Sequence, residues 1–294
     1  MSLSRKAISA FILGSLALLP TAVFADSKAP AKADSQTQNQ TEEKRKALLA
    51  DATSAIQETQ TALKDLDEGK KKEALAALER ATGKLDIILA RDPSLTLAPA
   101  GVRVLTVDLQ GGIEAAKSLR KQIQDLMDAG RLQAARRLMG SLASETVVSV
   151  SNIPLATYPG AIKDAARLID ENKTDEAKSA LQNALNTQVV TETIIPLSVV
   201  NAQISLREAE TLAEKKDRTA EENSRLKASL DNARSQLERS QALGYGKKGD
   251  FETFYQQLKE IEQKTANNKF GNGFFTKIKA SIADFMKSSQ PHQP

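Results

Sequence analysis

Asp128-Ala129-Gly130-Arg131-Leu132-Gln133-Ala134-Ala135 decides the fold, because its pattern occurs three times in the chain. Asp67-Glu68-Gly69-Lys70 with Ala74 is the first copy, and Asp170-Glu171-Asn172-Lys173 with Ala177 is the third. A proline follows each copy at one offset (Pro93, Pro154, Pro196), and no gap is needed to align the columns. The second and third copies both close on Ile-Pro-Leu, at Ile153 to Leu155 and Ile195 to Leu197. Gly or Asn is what a helix C-terminus takes where the backbone must turn left-handed. Lys or Arg beside it complements the carbonyl end of the helix dipole. The repeat therefore predicts a helix, a tight turn and a second helix. It is architecture, with no reaction chemistry in it.

The apolar spacing on either side agrees. Leu48, Ala52, Ala55, Ile56, Thr59, Leu63 and Leu66 make one stripe at helical period, and Ala74, Leu75, Leu78, Ala81, Leu85, Ile88 and Leu89 make another. Across a short turn the two must face each other as an antiparallel hairpin. Val102, Val104, Leu105, Val107 and Leu109 read as a β-like stretch, as do Val147, Val148 and Val150. Further helices follow. Pro159 sits in a first turn, Thr174 is expected to cap one helix, Pro196 opens a long one, Thr219-Ala220-Glu221-Glu222 is a capping box, and Asp250 is expected to cap the last core helix. The expected fold is mainly α: antiparallel helical hairpins in a bundle-like arrangement, with a small β ribbon or extended segments near 101–109 and 146–153.

Arg5 and Lys6, the apolar run Ala7 to Leu19, Pro20 and the small-x-small-like site Val23-Phe24-Ala25 make residues 1–25 a secretory signal peptide cleaved after Ala25. The run is shorter than the roughly 20 residues a membrane span needs. Residues 26–41 read as a disordered leader, 42–266 as the helical domain, and 267–294 as a C-terminal amphipathic helix and tail. The expected location is the periplasm.

Composition narrows function. The chain has 294 residues, 41 Lys and Arg against 37 Asp and Glu, and no cysteine. Loss of Arg5 and Lys6 with the signal peptide would take 41 to 39, so the basic balance is a small difference of large numbers. No Lys/Arg block with interleaved aromatics marks a nucleic-acid surface. Disulfides and thiol chemistry are excluded, and the lone His292 lies in a Gln/Pro tail. A Ser-His-Asp site is not expected from it. No catalytic residue, cofactor or metal site is assigned. Carboxylates such as Glu42, Glu43, Glu221 and Glu222 stand at helix starts, where they are stabilising anyway. Gly244-Tyr245-Gly246 is read as a helix stop.

Two stretches remain for binding. One is Ser144-Glu145 with the run Asn152 to Pro159, whose polar residues and two prolines stand among apolar ones. Ser144, Glu145, Asn152 and Tyr158 are its candidate ligand or partner residues. The other is the C-terminal helix, where Phe275, Ile278, Ile282 and Phe285 share a face. That face could dock on the core, pair with a second copy, or lie on an anionic membrane surface.

Gly69-Lys70, Ala74 to Leu78, Gly83-Lys84-Leu85-Asp86, Ala90-Arg91 and Ala135-Arg136 resemble the YfdX protein family. So do Ser144-Glu145, Ile153 to Tyr158-Pro159, Ala184 to Thr187, Ile195 to Leu197 and Leu243 to Gly246. The resemblance covers about 45–262. It implies a bacterial periplasmic, mainly helical protein tied to heat or acid stress, with chaperone-like or small-molecule-binding activity. Some members lie in heat-resistance gene clusters, and the family has no agreed catalytic residues. The expected partners are thus unfolded or stress-damaged proteins, a second copy of the chain, and weak membrane-surface contact through the C-terminal helix. The expected function is non-enzymatic, chaperone-like protection of other proteins. The alternative is a small-molecule-binding module built on the Asn152–Pro159 loop.

Intact mass of the protein from a bacterial envelope fraction should match a chain starting at Asp26. A mass retaining Met1 or Ser2 would overturn the cleavage.

Overall fold

A computed structural model describes residues 32–288 and residue 290, with side chains described from Glu42 onward. The expected signal peptide, the start of the expected leader and His292 lie outside the described residues.

Each copy of the repeat is a helical hairpin followed by a strand. The first comprises α1 (Lys32–Asp67), α2 (Lys71–Arg91) and β1 (Leu97–Asp108). The second comprises α3 (Ile113–Asp128), α4 (Leu132–Met139) and β2 (Ser144–Pro154). The third comprises α5 (Tyr158–Asp170), α6 (Thr174–Asn186) and β3 (Val189–Pro196). Four helices follow: α7 (Leu197–Glu214), α8 (Ala220–Leu243), α9 (Lys248–Thr265) and α10 (Thr276–Ser288). The fold is mainly helical with one small antiparallel sheet.

The three turns share one geometry. Gly69, Gly130 and Asn172 have φ of 73°, 70° and 62°. The next residue donates back five positions in each: Lys70 N–H to Asp65 O at 2.8 Å, Arg131 N–H to Leu126 O at 2.8 Å, and Lys173 N–H to Leu168 O at 2.9 Å. This is a Schellman closure. Ala74, Ala135 and Ala177 are buried under the turns, and each N–H completes the first turn of the next helix.

The copies diverge at the proline. Pro154 and Pro196 end β2 and β3, where the missing N–H breaks no further pairing. Pro93 instead falls before β1, because α2 runs for 21 residues where α4 runs for 8. One column of sequence thus has two structural uses.

The strands pair antiparallel in the order β1-β2-β3. Leu97 lies opposite Pro154 and Asp108 opposite Ser144, with an irregularity between Pro99 and Gly101. Glu145 lies opposite Pro196 and Asn152 opposite Val189. The two expected extended segments are therefore true strands, longer than their valine runs. The third strand is an addition to the expectation.

Two cores lie on either side of this sheet's ends. The first joins α1, α2, α5 and α6 with the start of β1 and the end of β2. Its hairpins lie side by side with their turns together: Lys71 Nζ donates to Asn172 Oδ1 at 2.9 Å, and Lys178 pairs with Asp67 at 2.9 Å. The second joins α7 to α10. The C-terminal helix α10 thus docks its apolar face in this second core, the first of its three expected alternatives.

Some helix ends differ from expectation. Thr174 is the first residue of α6, behind Lys173, and makes no side-chain cap. Asp250 lies inside α9, where its carboxylate accepts the Lys247 N–H at 2.9 Å. Thr219 and Glu222 form the expected capping box of α8. Helix α1 starts at Lys32, earlier than the apolar periodicity, because helix propagates cheaply through Gln, Glu and Lys once a packed segment has nucleated it.

Gly130 carries the φ that disfavours other residues, while Gly249 sits in the first turn of α9 without a positive φ. An added Cβ meets nothing within 4 Å at either site. Gly130→Val should therefore cost about 1–2 kcal/mol through backbone strain alone, and lower the melting temperature more than Gly249→Val. Equal losses would overturn the shared turn geometry.

Candidate functional site

β2 carries both ends of the expected binding stretch. Ser144 and Asn152 are eight positions apart on one extended strand, so roughly 27 Å separates them. The four candidate residues do not converge on one pocket.

Ser144 and Glu145 belong to a polar junction between the sheet and α8. Ser144 Oγ donates to Asp108 Oδ1 at 2.6 Å. Arg239 Nη2 donates to the same oxygen at 2.9 Å and to Leu109 O at 2.7 Å. The Ser144 N–H donates to the Tyr245 hydroxyl at 2.7 Å. Burial raises the Tyr245 pKa well above a tyrosine's ordinary value, and the Glu145 carboxylate adds to this against the Ser144 N–H and Arg239. The phenol is thus neutral at physiological pH. Gly244 (φ 87°) ends α8 in the left-handed conformation and turns the chain so that Tyr245 reaches the strand. The junction holds two elements together. The Ser144 proton is committed to a carboxylate already paired with arginine, so no activated nucleophile results.

Asn152 is equally committed. Its amide nitrogen donates to Val150 O and Val189 O, both at 3.0 Å, and to Thr191 Oγ1 at 3.2 Å. It ties β2 to β3.

Tyr158 begins α5 and is fully buried in the first core. Its hydroxyl has no hydrogen-bond partner of good geometry. Thr59 of α1 lies beside it, but the Thr59 proton goes to Ala55 O at 2.8 Å. Burial lifts the phenol to about 12, with Thr59 pulling the other way. A depression of about 250 Å³ lies outside it, lined also by Thr157, Ala161, Asp164, Asn183 and Thr187.

Phe275, Ile278, Ile282 and Phe285 all face the second core and are at most 5% exposed. Phe285 stacks edge-on against Phe251 and Phe254, with centroids 5.6 Å apart in both pairs. Gly246 makes room for it, since a Cβ there would stand 2.3 Å from the Phe285 ring. While α10 stays docked, this face has nothing left to offer a membrane or a second copy. The tail also closes the edge of β3. The Gln290 amide accepts the Ile194 N–H at 2.9 Å and donates to Ile194 O at 3.0 Å, as a further strand would.

One surface escaped the sequence reading. The α3–α4 hairpin buries only Ala116, Ile123 and Ala135. Met127, Leu132 and Met139 are 41%, 61% and 43% exposed at its rim. Arg120, Lys121, Arg131, Arg136 and Arg137 are exposed or half-buried around them. The cue was the short α4, whose apolar stripe has no second long helix to meet. Among the described residues, no group of three or more His, Asp or Glu side chains could hold a metal ion, and no helix is long and apolar enough to cross a membrane.

The three αα-plus-strand units and the Ser144 junction bear on a comparison with known proteins. Residues 55–194 match the family described as YfdX protein. This part of the chain belongs to the YfdX family. The YfdX segment runs from within α1 into β3, shorter at both ends than the resemblance read from the sequence. It contains Ser144, Glu145, Asn152 and Tyr158, while Arg239, Tyr245 and α10 lie beyond it. A solved structure of YfdX from Salmonella Typhi is similar over 51% of this chain and 92% of its own. The identity is 14% and the TM-score 0.36. No match is found among curated proteins.

Tyr245→Phe leaves the buried Ser144 N–H without its acceptor and should cost about 1–3 kcal/mol in denaturant titrations. Tyr158→Phe removes a hydroxyl that satisfies nothing and should cost none. The raised Tyr158 pKa means its stability contribution is complete below pH 10 and is lost as pH rises toward about 12. Tyr158→Phe should flatten the fall in stability over that interval. An unchanged alkaline slope would show that the phenol titrates normally.

Proposed function

We propose that this protein is a non-enzymatic stress protein of the bacterial periplasm that shields unfolding proteins from aggregation. The observation that carries this is the uncovered rim of the α3–α4 hairpin. Met127 and Met139 are flexible and polarisable, and Leu132 between them is the most exposed large apolar side chain in the described chain. Methionine-rich surfaces repack around unrelated apolar partners, as a protein with many clients requires. The surrounding arginines and lysines keep such a surface soluble and attract acidic clients. YfdX membership of residues 55–194 agrees with this reading, as does the expected export of the chain. The shallow depression beside Tyr158 gives the small-molecule reading a weaker basis, because its one aromatic residue is fully buried.

Full-length protein should reduce light scattering by a heated client enzyme without nucleotide. Met127→Ser/Leu132→Ser/Met139→Ser should lose at least about half of that protection while melting within a few degrees of wild type, since surface changes cost little. Absent protection in the wild type, or equal protection by the triple variant, would overturn the assignment.

A further inference from the structure

We propose that the face between the end of α9 and the loop leading to α10 is a binding site for a neutral saccharide. A depression of about 770 Å³ opens there, lined by Glu260, Gln263, Lys264, Asn267, Phe270 and Phe274 among others. That is within the roughly 300–1,000 Å³ of small-ligand sites.

Its walls have the right parts. Phe270 is 50% exposed, the only phenylalanine of the described residues left so open. Phe274 beside it is half-buried, with Lys264 Nζ 5.8 Å from its ring centroid. The exposed Phe270 ring offers a flat apolar plate to the C–H face of a sugar ring. The side-chain amides of Gln263 and Asn267 have no hydrogen-bond partner among the described residues.

The loop is also built rather than loose. Asn267 and Asn268 are left-handed in succession, with φ of 55° and 61°. Strain of this kind persists only where the surroundings enforce it. They do so from behind. Arg218 is 4% exposed, and its Nη2 donates to Thr265 O at 3.3 Å and Lys269 O at 2.7 Å. Asn223 Nδ2 donates to Asn268 Oδ1 at 3.0 Å, and the Gly271 N–H donates to Ala213 O at 3.2 Å. Gly271 lets the chain pass close to the Phe274 ring, since a Cβ there would stand 2.7 Å from it. A ligand meeting this loop has no ordering left to impose.

The mixture of groups selects the ligand. A bare anion would meet Glu260, and a bare cation would meet Lys264 and Lys269. Each amide supplies donors and an acceptor, and each hydroxyl of a sugar is itself both. A neutral polyhydroxyl ring satisfies the carboxylate, the ammonium groups and the amides together.

The test is titration of full-length protein with chitotetraose, maltotetraose and cellotetraose, and separately with sodium dodecanoate, read by NMR chemical shifts and calorimetry. At least one tetrasaccharide should bind saturably, with shifts centred on residues 260–274. Phe270→Ala should weaken that binding about tenfold or more. Phe270→Tyr, which keeps the plate, should bind like wild type. Asn267→Gly keeps the left-handed backbone without strain, so it should melt no lower yet bind less. The proposal is overturned if no tetrasaccharide shifts these residues at about 10 mM. It also falls if Phe270→Ala binds as well as wild type, or if only dodecanoate binds there.

Discussion

The hydrogen-bond ladder of β2 is the constraint on which the rest of this molecule depends. Among the described strands it alone is paired with a strand on both sides, so its register sets where β1 and β3 lie. A slip of one residue would turn every side chain on it to the other face. Such a slip would take Thr146, Val148 and Val150 out of their buried positions and remove the Thr146 hydroxyl from the Thr106 hydroxyl, now 2.9 Å away. Both ends of the strand are pinned. Ser144 at one end is held by Asp108 and Tyr245, and Asn152 near the other is held to β3. Ile153 and Leu155 then carry the chain into the first core.

The two cores reach cohesion by different chemistry. The first is lined by alanines at helix contacts, among them Ala52, Ala55, Ala62, Ala74, Ala77 and Ala81. Small side chains bring α1 and α2 close, and Leu66, Leu78, Leu85 and Ile88 fill the space between. Cross-helix ion pairs such as Lys84 and Arg91 on Asp51, both at 2.9 Å, decorate the seam but are too exposed to contribute much. The second core is aromatic. Phe251, Phe254 and Phe285 meet edge to edge, and Phe275 completes the cluster. Each such ring contributes about 2–3 kcal/mol by burial. This is why α10 belongs to the fold: withdrawing it would uncover Phe251 and Phe254 as well as its own face.

What was legible in the sequence was what a local physical demand imposes. A left-handed φ asks for Gly or Asn wherever it occurs, so Gly69, Gly130 and Asn172 announced their turns. Closely spaced valines announced β1 and β2. Val189 to Ile195 is as rich in β-branched residues, yet it lies between a helix and Pro196 and is not read as a strand from sequence alone. The helix starts at Thr174 and Asp250 were misplaced by less than a turn, because a residue suited to capping does not cap if the turn begins elsewhere. The amphipathic stripe on α10 was legible, but periodicity reports a stripe and not what covers it. The Ser144 junction could not be seen at all. Arg239 and Asp108 are 131 positions apart, and no spacing rule links an arginine to a carboxylate at that distance.

Burial is unevenly shared among the three repeat copies, and that has a consequence for motion. Hairpins α1–α2 and α5–α6 bury one another's apolar stripes in one core. Hairpin α3–α4 has no such partner. It rests on the end of α8 through Ala116, Ala242 and Leu243, with Leu109, Ile113, Leu142 and Tyr245 around them. Segments with few buried apolar contacts open at free energies well below global unfolding. The hairpin with the most exposed apolar rim is therefore also the one with the least burial to lose on opening, and the Tyr245 and Arg239 contacts to the ends of β1 and β2 lie beside it. The same repeat that builds a four-helix core in its first and third copies thus leaves the apolar rim of its second copy exposed.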